Sequence, residues 1–328
     1  MQSELVLEAD KSVIEGMVRA FGAILDEARA QAKAAIEQPA TAVHDYRRAV
    51  RRAESVVLLA SPLMRKAQLG WIRKAVTDAR RRTRVLRDLD AVMPVIGKLS
   101  ELDLADPTAL DVLKAWLEEA RGEVATEELV AWRLRKNVRS LAGLAEMFAV
   151  GVHAWADYDL LIESLRESYR AARRAWAKAD GSKKLDDVHA WRRATRTLRY
   201  QLELLESRGD LPASAALKTA HATFKDQVKE LGQVTDLFAL RGIIEDAKEH
   251  VIGVEWKPLV KGLDAVIAER LSRVFEDARV TFAVRPRDFV VLVEATDDGA
   301  KGADGAHGVT VAEMSDPPKL QSDGGDEG

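Results

Sequence analysis

The stretch "VHDYRRAVRRAE" at 43–54 returns as "VHAWRRATRTLRY" at 188–200, and this duplication narrows the possible folds more than any other feature of the chain. His44, Arg47, Arg48 and Arg51 recur as His189, Arg192, Arg193 and Arg196, a shift of 145 positions. Further on, "RVLRDLDAV" at 84–92 answers "GQVTDLFAL" at 232–240, which sets Asp88 on Asp236 at an offset of 148. A loop absorbs the slip of three. A fixed internal repeat means one supersecondary unit used twice. Each copy is predicted to be a basic helix followed by an Asp-bearing helix junction, so the chain is expected to form two related helical bundles.

The units read as helical because apolar residues recur at three and four positions from about residue 8 to 282, and strand-like alternation is missing. Breaks fall at Gln38-Pro39, Ser61-Pro62, Asp106-Pro107, 151–158, Asp180-Gly181, Gly209-Asp210 and before Pro258. Ser61 and Pro62 together predict a capped helix start. The boundaries expected are a first bundle at 8–150, a second at 151–282, and an acidic, Gly-rich, disordered tail at 283–328. Within that last segment "DFVVLVEA" reads as either a short strand or a last helical turn.

Net charge hides the pattern that matters. Of a formal −3, residues 283–328 contribute −6, from ten acidic groups against four basic ones. The rest of the chain is slightly basic, and its basic groups are bunched. There is no cysteine, which rules out disulfides, thiolate metal sites and a cysteine nucleophile. The start of the chain lacks the pattern of a signal peptide, and no apolar run reaches the length of a membrane span. The expected location is cytoplasmic, with no membrane partner.

On a helix turning about 100° per residue, His44, Arg47, Arg48 and Arg51 share an arc of about 100°. Val43, Tyr46, Val50 and Val57 fill the neighbouring sector, which is expected to face the core. In the second copy His189, Arg192, Arg193, Arg196, Arg199 and Tyr200 form the polar face, with Val188, Trp191, Leu198 and Leu202 on the apolar one. The next helices continue the theme. Lys66, Arg73, Lys74, Arg80, Arg84 and Arg87 line the one expected at 63–87, and Lys218, His221, Lys225 and Lys229 line its counterpart.

Four basic stripes beside apolar ones can converge on a shared channel or groove, which repels itself unless an anion fills it. Arginine forks suit phosphate oxygens, and long tracks of cations suit a long polyanion. Nucleic acid fits less well, because single strands ask for aromatic platforms. Tyr46, Trp71 and Trp191 are placed on the apolar faces, and only Tyr200 on a basic one. No Gly-rich phosphate loop occurs.

These residues resemble the CHAD family, the conserved histidine α-helical domain. The resemblance rests on H-x-x-R-x-x-x-R-R at 44–52, H-x-x-R-x-x-x-R-x-x-R-Y at 189–200, R-D-L-D at 87–90 and L-G-x-x-x-D at 231–236. It implies an all-α pair of antiparallel helical bundles around a basic central pore that binds inorganic polyphosphate, in association with polyphosphate granules and their other proteins. The E-x-E-x-K strand of the CYTH triphosphatase domain that some relatives carry does not occur. By resemblance His44, Arg47, Arg51, Arg52, His189, Arg192, Arg196, Arg199 and Tyr200 become polyphosphate contacts. The stripes add Arg48, Arg73, Arg80, Arg84, Arg193, Lys225 and Lys229. Glu54 and Thr197 depart from the family pattern, standing where basic residues are usual.

His44 and His189 read as phosphate donors or as orienters of neighbouring arginines, since no local metal-binding spacing is present. No metal and no cofactor is expected. Asp88 and Asp236 read as helix caps or as carboxylates bracing a stripe arginine. A binding protein without catalytic machinery is therefore expected. The alternatives are a polyphosphate phosphohydrolase using Asp88, Asp90 and Asp236, and a nucleic-acid-binding module.

Overall fold

The computed structural model describes residues 13–37, 39–83, 95–97, 107–124, 127–153, 158–206 and 215–294. In order, the helices are α1 (Val13–Glu37), α2 (Pro39–Leu59), α3 (Lys66–Arg82), α4 (Pro107–Val124), α5 (Glu127–Leu141) and α6 (Leu144–Gly151), then α7 (Tyr158–Ser182), α8 (Leu185–Glu206), α9 (Ala215–His250), α10 (Lys257–Thr281) and α11 (Pro286–Glu294). No strand occurs among the described residues, so the fold is all-α. Prolines at 39, 107 and 258 sit at helix starts, where the missing N–H costs nothing.

Ser61 and Pro62 behave differently from expectation. They open a 3-10 turn, Ser61–Leu63, with no side-chain cap, and α3 starts only at Lys66. The chain is held back by an exchange with the end of α6. Met64 bridges Val152, the Arg65 N–H donates to the Gly151 carbonyl at 2.9 Å, and the His153 N–H donates to the Leu63 carbonyl at 2.8 Å. Gly151 permits the approach, since a Cβ there would lie 2.9 Å from Met64 Cε and 3.0 Å from Gln68 Cβ.

The repeat extends one helix upstream of the motif. α1 and α7 are both 25 residues long, and their starts differ by the same 145 positions as the histidines. α1 packs on α2 and α7 on α8; α2 then packs on α3 and α8 on α9. The motif helices α2 and α8 also pack directly on each other. Val43, Tyr46, Val50, Val57, Val188, Trp191, Leu198 and Leu202 are all buried, as their helical phase demands.

The apolar core does not divide at residue 151. One cluster takes in Phe21 and Ile24 of α1, Phe148 of α6, Tyr169 of α7, Trp191 of α8 and Phe275 of α10. A second joins Leu110, Leu113 and Leu117 of α4 to Leu240 and Ile244 of α9 and Leu259 and Leu263 of α10. Part of the segment expected to be a disordered tail also belongs to the core. α11 buries Phe289, Val290 and Val293, and Phe289 stacks on Tyr169 with centroids 4.0 Å apart. The Tyr169 hydroxyl donates to the Val284 carbonyl at 2.9 Å. Residues 295–328, the rest of that segment, lie outside the described residues.

Candidate basic site on the repeat helices

α2 and α8 meet through polar contacts near their C-terminal ends. Gln201 Nε2 donates to the Ser55 carbonyl at 3.3 Å, and Arg52 Nη2 lies 3.7 Å from Glu203 Oε1. A step back along α2 is thus a step forward along α8, and the helices cross antiparallel. At 1.5 Å per residue, His44 and His189 lie roughly 16–18 Å back along their helices from this crossing. The two motif copies therefore lead away from it in different directions.

Arg52 is only 6% exposed. Its Nη1 donates to Glu27 Oε2 of α1 at 2.9 Å, so it ties α1, α2 and α8 together instead of lying on an open face. Arg199 donates to Glu203 at 3.0 Å, and its guanidinium covers the Tyr200 ring at 4.5 Å. Tyr200, expected on the polar face, is buried at 6% exposure beneath it. Thr197 stands 145 positions after Arg52 and has no charge to bury.

Arg47 is also buried, at 5% exposure, although its stripe was expected to face away from the core. Its Nη1 donates to the Arg80 carbonyl at 3.1 Å and to Thr83 Oγ1 at 2.7 Å. Asn137 Nδ2 of α5 donates to the Ala79 carbonyl at 3.0 Å, and Arg82 reaches Asn137 Oδ1 at 2.9 Å. These side chains satisfy the last carbonyls of α3, and the guanidinium suits the negative end of its dipole. Burial pushes the Tyr46 phenol well above its ordinary range, against the pull of Arg82 and Arg47, so it stays neutral here. Thr83 and Asn137 were not foreseen, since one polar residue in a helical run carries no signal of its partner.

The second copy shows a related local pattern, four residues beyond the offset that pairs Asp88 with Asp236. Thr235 Oγ1 donates to the Gly232 carbonyl at 2.9 Å, as Thr83 Oγ1 donates to the Arg80 carbonyl at 3.1 Å. Arg192 covers Gly232, where a Cβ would stand 3.1 Å from Nη2. The expected helix junction is absent, because Asp236 lies half-buried inside the unbroken α9. A capping role is thereby excluded for Asp236. Alanine is worth about 1 kcal/mol over glycine inside a helix. Gly242→Ala, where a Cβ meets nothing within 4 Å, is expected to gain that in urea unfolding. Gly232→Ala should gain measurably less, and the shortfall measures the Arg192 contact.

The remaining predicted residues are more open. His44, Arg73, Arg193, Lys225 and Lys229 are exposed, while Arg48, Arg51, Arg80, His189, Arg192 and Arg196 are half-buried. Arg48 lies 3.3 Å from Asp45, and Arg80 3.5 Å from Glu54, the acidic departure from the family pattern. Arg84, Asp88 and Asp90 lie outside the described residues. Trp71, expected on an apolar face, is 69% exposed, because Ile72, Val76 and Ala79 form the buried stripe of α3 one residue further round. The arrangement offers multiple cations on α2, α8 and α9 held by a rigid, ion-paired crossing.

A family model described as CHAD domain matches residues 19–245. Among solved structures, the chain is similar to the CHAD domain from the plant Ricinus communis, at 18% identity and a TM-score of 0.57, covering 86% of this chain and 95% of that one. No curated protein matches. The structural likeness concerns the fold.

Proposed function

The chain belongs to the CHAD domain family, and from that premise we propose that it binds inorganic polyphosphate without hydrolysing it, at polyphosphate granules. The family is linked to polyphosphate binding in general. The observation that carries the reading is the direct packing of α2 on α8, which makes both copies of the His-x-x-Arg motif part of one rigid unit. Since the copies lead away from the crossing in different directions, an extended polyanion reaches both more readily than a compact one. The contacts assigned are the accessible cations Arg48, Arg51, Arg193, Arg196, Lys225 and Lys229, with His44 and His189 beside them. Arg47 and Arg52 are assigned to holding the scaffold.

One observation favours nucleic acid as a second reading. Trp71 and Trp132 are exposed, and Lys136 Nζ lies 5.2 Å from the centre of the Trp132 ring. Such surfaces stack bases. Long-chain polyphosphate incubated with the purified protein is expected to bind with no release of phosphate. An oligonucleotide at equal phosphate concentration should displace little of it. Efficient displacement would move the assignment to nucleic acid, and phosphate release would move it to a hydrolase.

A further inference from the structure

A second basic site lies at the other end of α3. A cleft of about 660 Å³ opens where the 3-10 turn meets the segment after α6, lined by Arg65, Lys66, Arg73 and His153 with Met64 and Leu69 as an apolar wall. Elsewhere in the described chain several basic residues stand beside a carboxylate, as Lys74 does beside Asp78 and Arg241 beside Asp264. Among the described residues, Arg65, Lys66 and Arg73 have no carboxylate partner, and no acidic one lines the cleft, so their charge meets no counter-charge from that part of the chain.

The local backbone adds to the same charge. Arg65 is the N-cap of α3, no side chain caps the helix, and its first turn holds no acidic residue. Helix starts favour anions and disfavour cations. Arg65 and Lys66 therefore oppose the dipole here, which is an unfavourable arrangement until an anion sits between them. The cleft is also pre-formed, because the Arg65 and His153 N–H groups are both engaged in the exchange with Gly151 and Leu63.

We propose that this cleft binds a compact oligophosphate group of a few phosphates, at a site separate from the polyphosphate contacts on α2, α8 and α9. It lies some 25 Å, the length of α3, from the Thr83 end. Three permanent cations offset most of the charge of a triphosphate. The volume and the apolar wall also admit an organic group attached to it, so inorganic triphosphate and a nucleoside triphosphate share the required chemistry.

Titration calorimetry of the full chain with sodium tripolyphosphate tests the site. The variant Arg193→Ala/Arg196→Ala should retain tripolyphosphate binding while losing long-chain affinity. Arg65→Gln/His153→Gln should weaken tripolyphosphate about tenfold or more, the scale of a lost charge-assisted hydrogen bond, and leave long-chain binding unchanged. Lys66→Gln alone, with circular dichroism as the check on folding, should show the same direction. Tripolyphosphate binding that is unaffected by Arg65→Gln/His153→Gln, or abolished by Arg193→Ala/Arg196→Ala, overturns the proposal. A parallel titration with adenosine triphosphate separates the sources. Tighter binding than tripolyphosphate assigns the apolar wall to the organic group, and equal binding assigns the cleft to the phosphates alone.

Discussion

Arg52→Ala is expected to lower the stability of the fold by about 3–5 kcal/mol, the usual result of removing one partner from a buried ion pair. Arg52 and Glu27 both lie inside, and Glu203 approaches the same guanidinium from α8. Truncation leaves the Glu27 carboxylate without its partner where water reaches it poorly, and that accounts for most of the loss. A comparison inside the same helix pair fixes the interpretation. Arg193→Ala, at an exposed position, should change stability by no more than about 0.5 kcal/mol. Replacing Arg52 by methionine and Glu27 by leucine together should recover much of the loss, because two apolar groups of similar size leave no orphaned charge. Urea midpoints for the three variants read this out. If Arg52→Ala matched Arg193→Ala, Arg52 would belong with the surface cations after all.

The contrast between these two arginines also shows what the sequence could carry. The motif helices, their helical phase and the buried positions of Val43, Tyr46, Val188 and Trp191 follow from spacing alone. Charge type then misleads, because arginine is usually a surface residue. Nothing within α2 distinguishes Arg47 and Arg52, which are buried, from Arg48 and Arg51, which are not fully so. Their partners Thr83, Glu27 and Glu203 come from other helices. The upstream extension of the repeat is legible only in part. "RAQAKA" at 29–34 returns as "RAWAKA" at 174–179 in the same register, but the earlier turns of α1 and α7 share no residue, since cores tolerate exchange of apolar residues when volume and pattern are kept. Glu27 of α1 corresponds to Ala172 of α7, as Arg52 does to Thr197, so the ion pair of one half is a pair of small residues in the other. The helix α11 was ambiguous because nine residues show too few turns for period to decide. The cleft beside α3 had no linear trace, for His153 is far from Arg65 in sequence.

Binding of long-chain polyphosphate is expected to collapse with salt. Each neutralised phosphate releases counterions, giving a slope of about −0.7 per contact in a log–log plot for single nucleic-acid strands. Carried over to polyphosphate, the six accessible cations Arg48, Arg51, Arg193, Arg196, Lys225 and Lys229 give a slope of about −4, so a fourfold rise in salt lowers affinity about 300-fold. The slope separates contact from scaffold in a way that affinity alone does not. Arg193→Ala/Arg196→Ala removes two contacts, and its slope should fall by about 1.4. Arg47→Ala removes the hydrogen bonds that hold the end of α3 and lowers the fraction of competent protein. Corrected for that fraction, its slope should match the parent's. Chain length adds a second criterion. A long chain held by one motif copy meets the other at high effective concentration, so the double variant should weaken long chains far more than short ones. A slope near zero, or equal losses for long and short chains, would remove the basis for treating the two copies as one polyphosphate site.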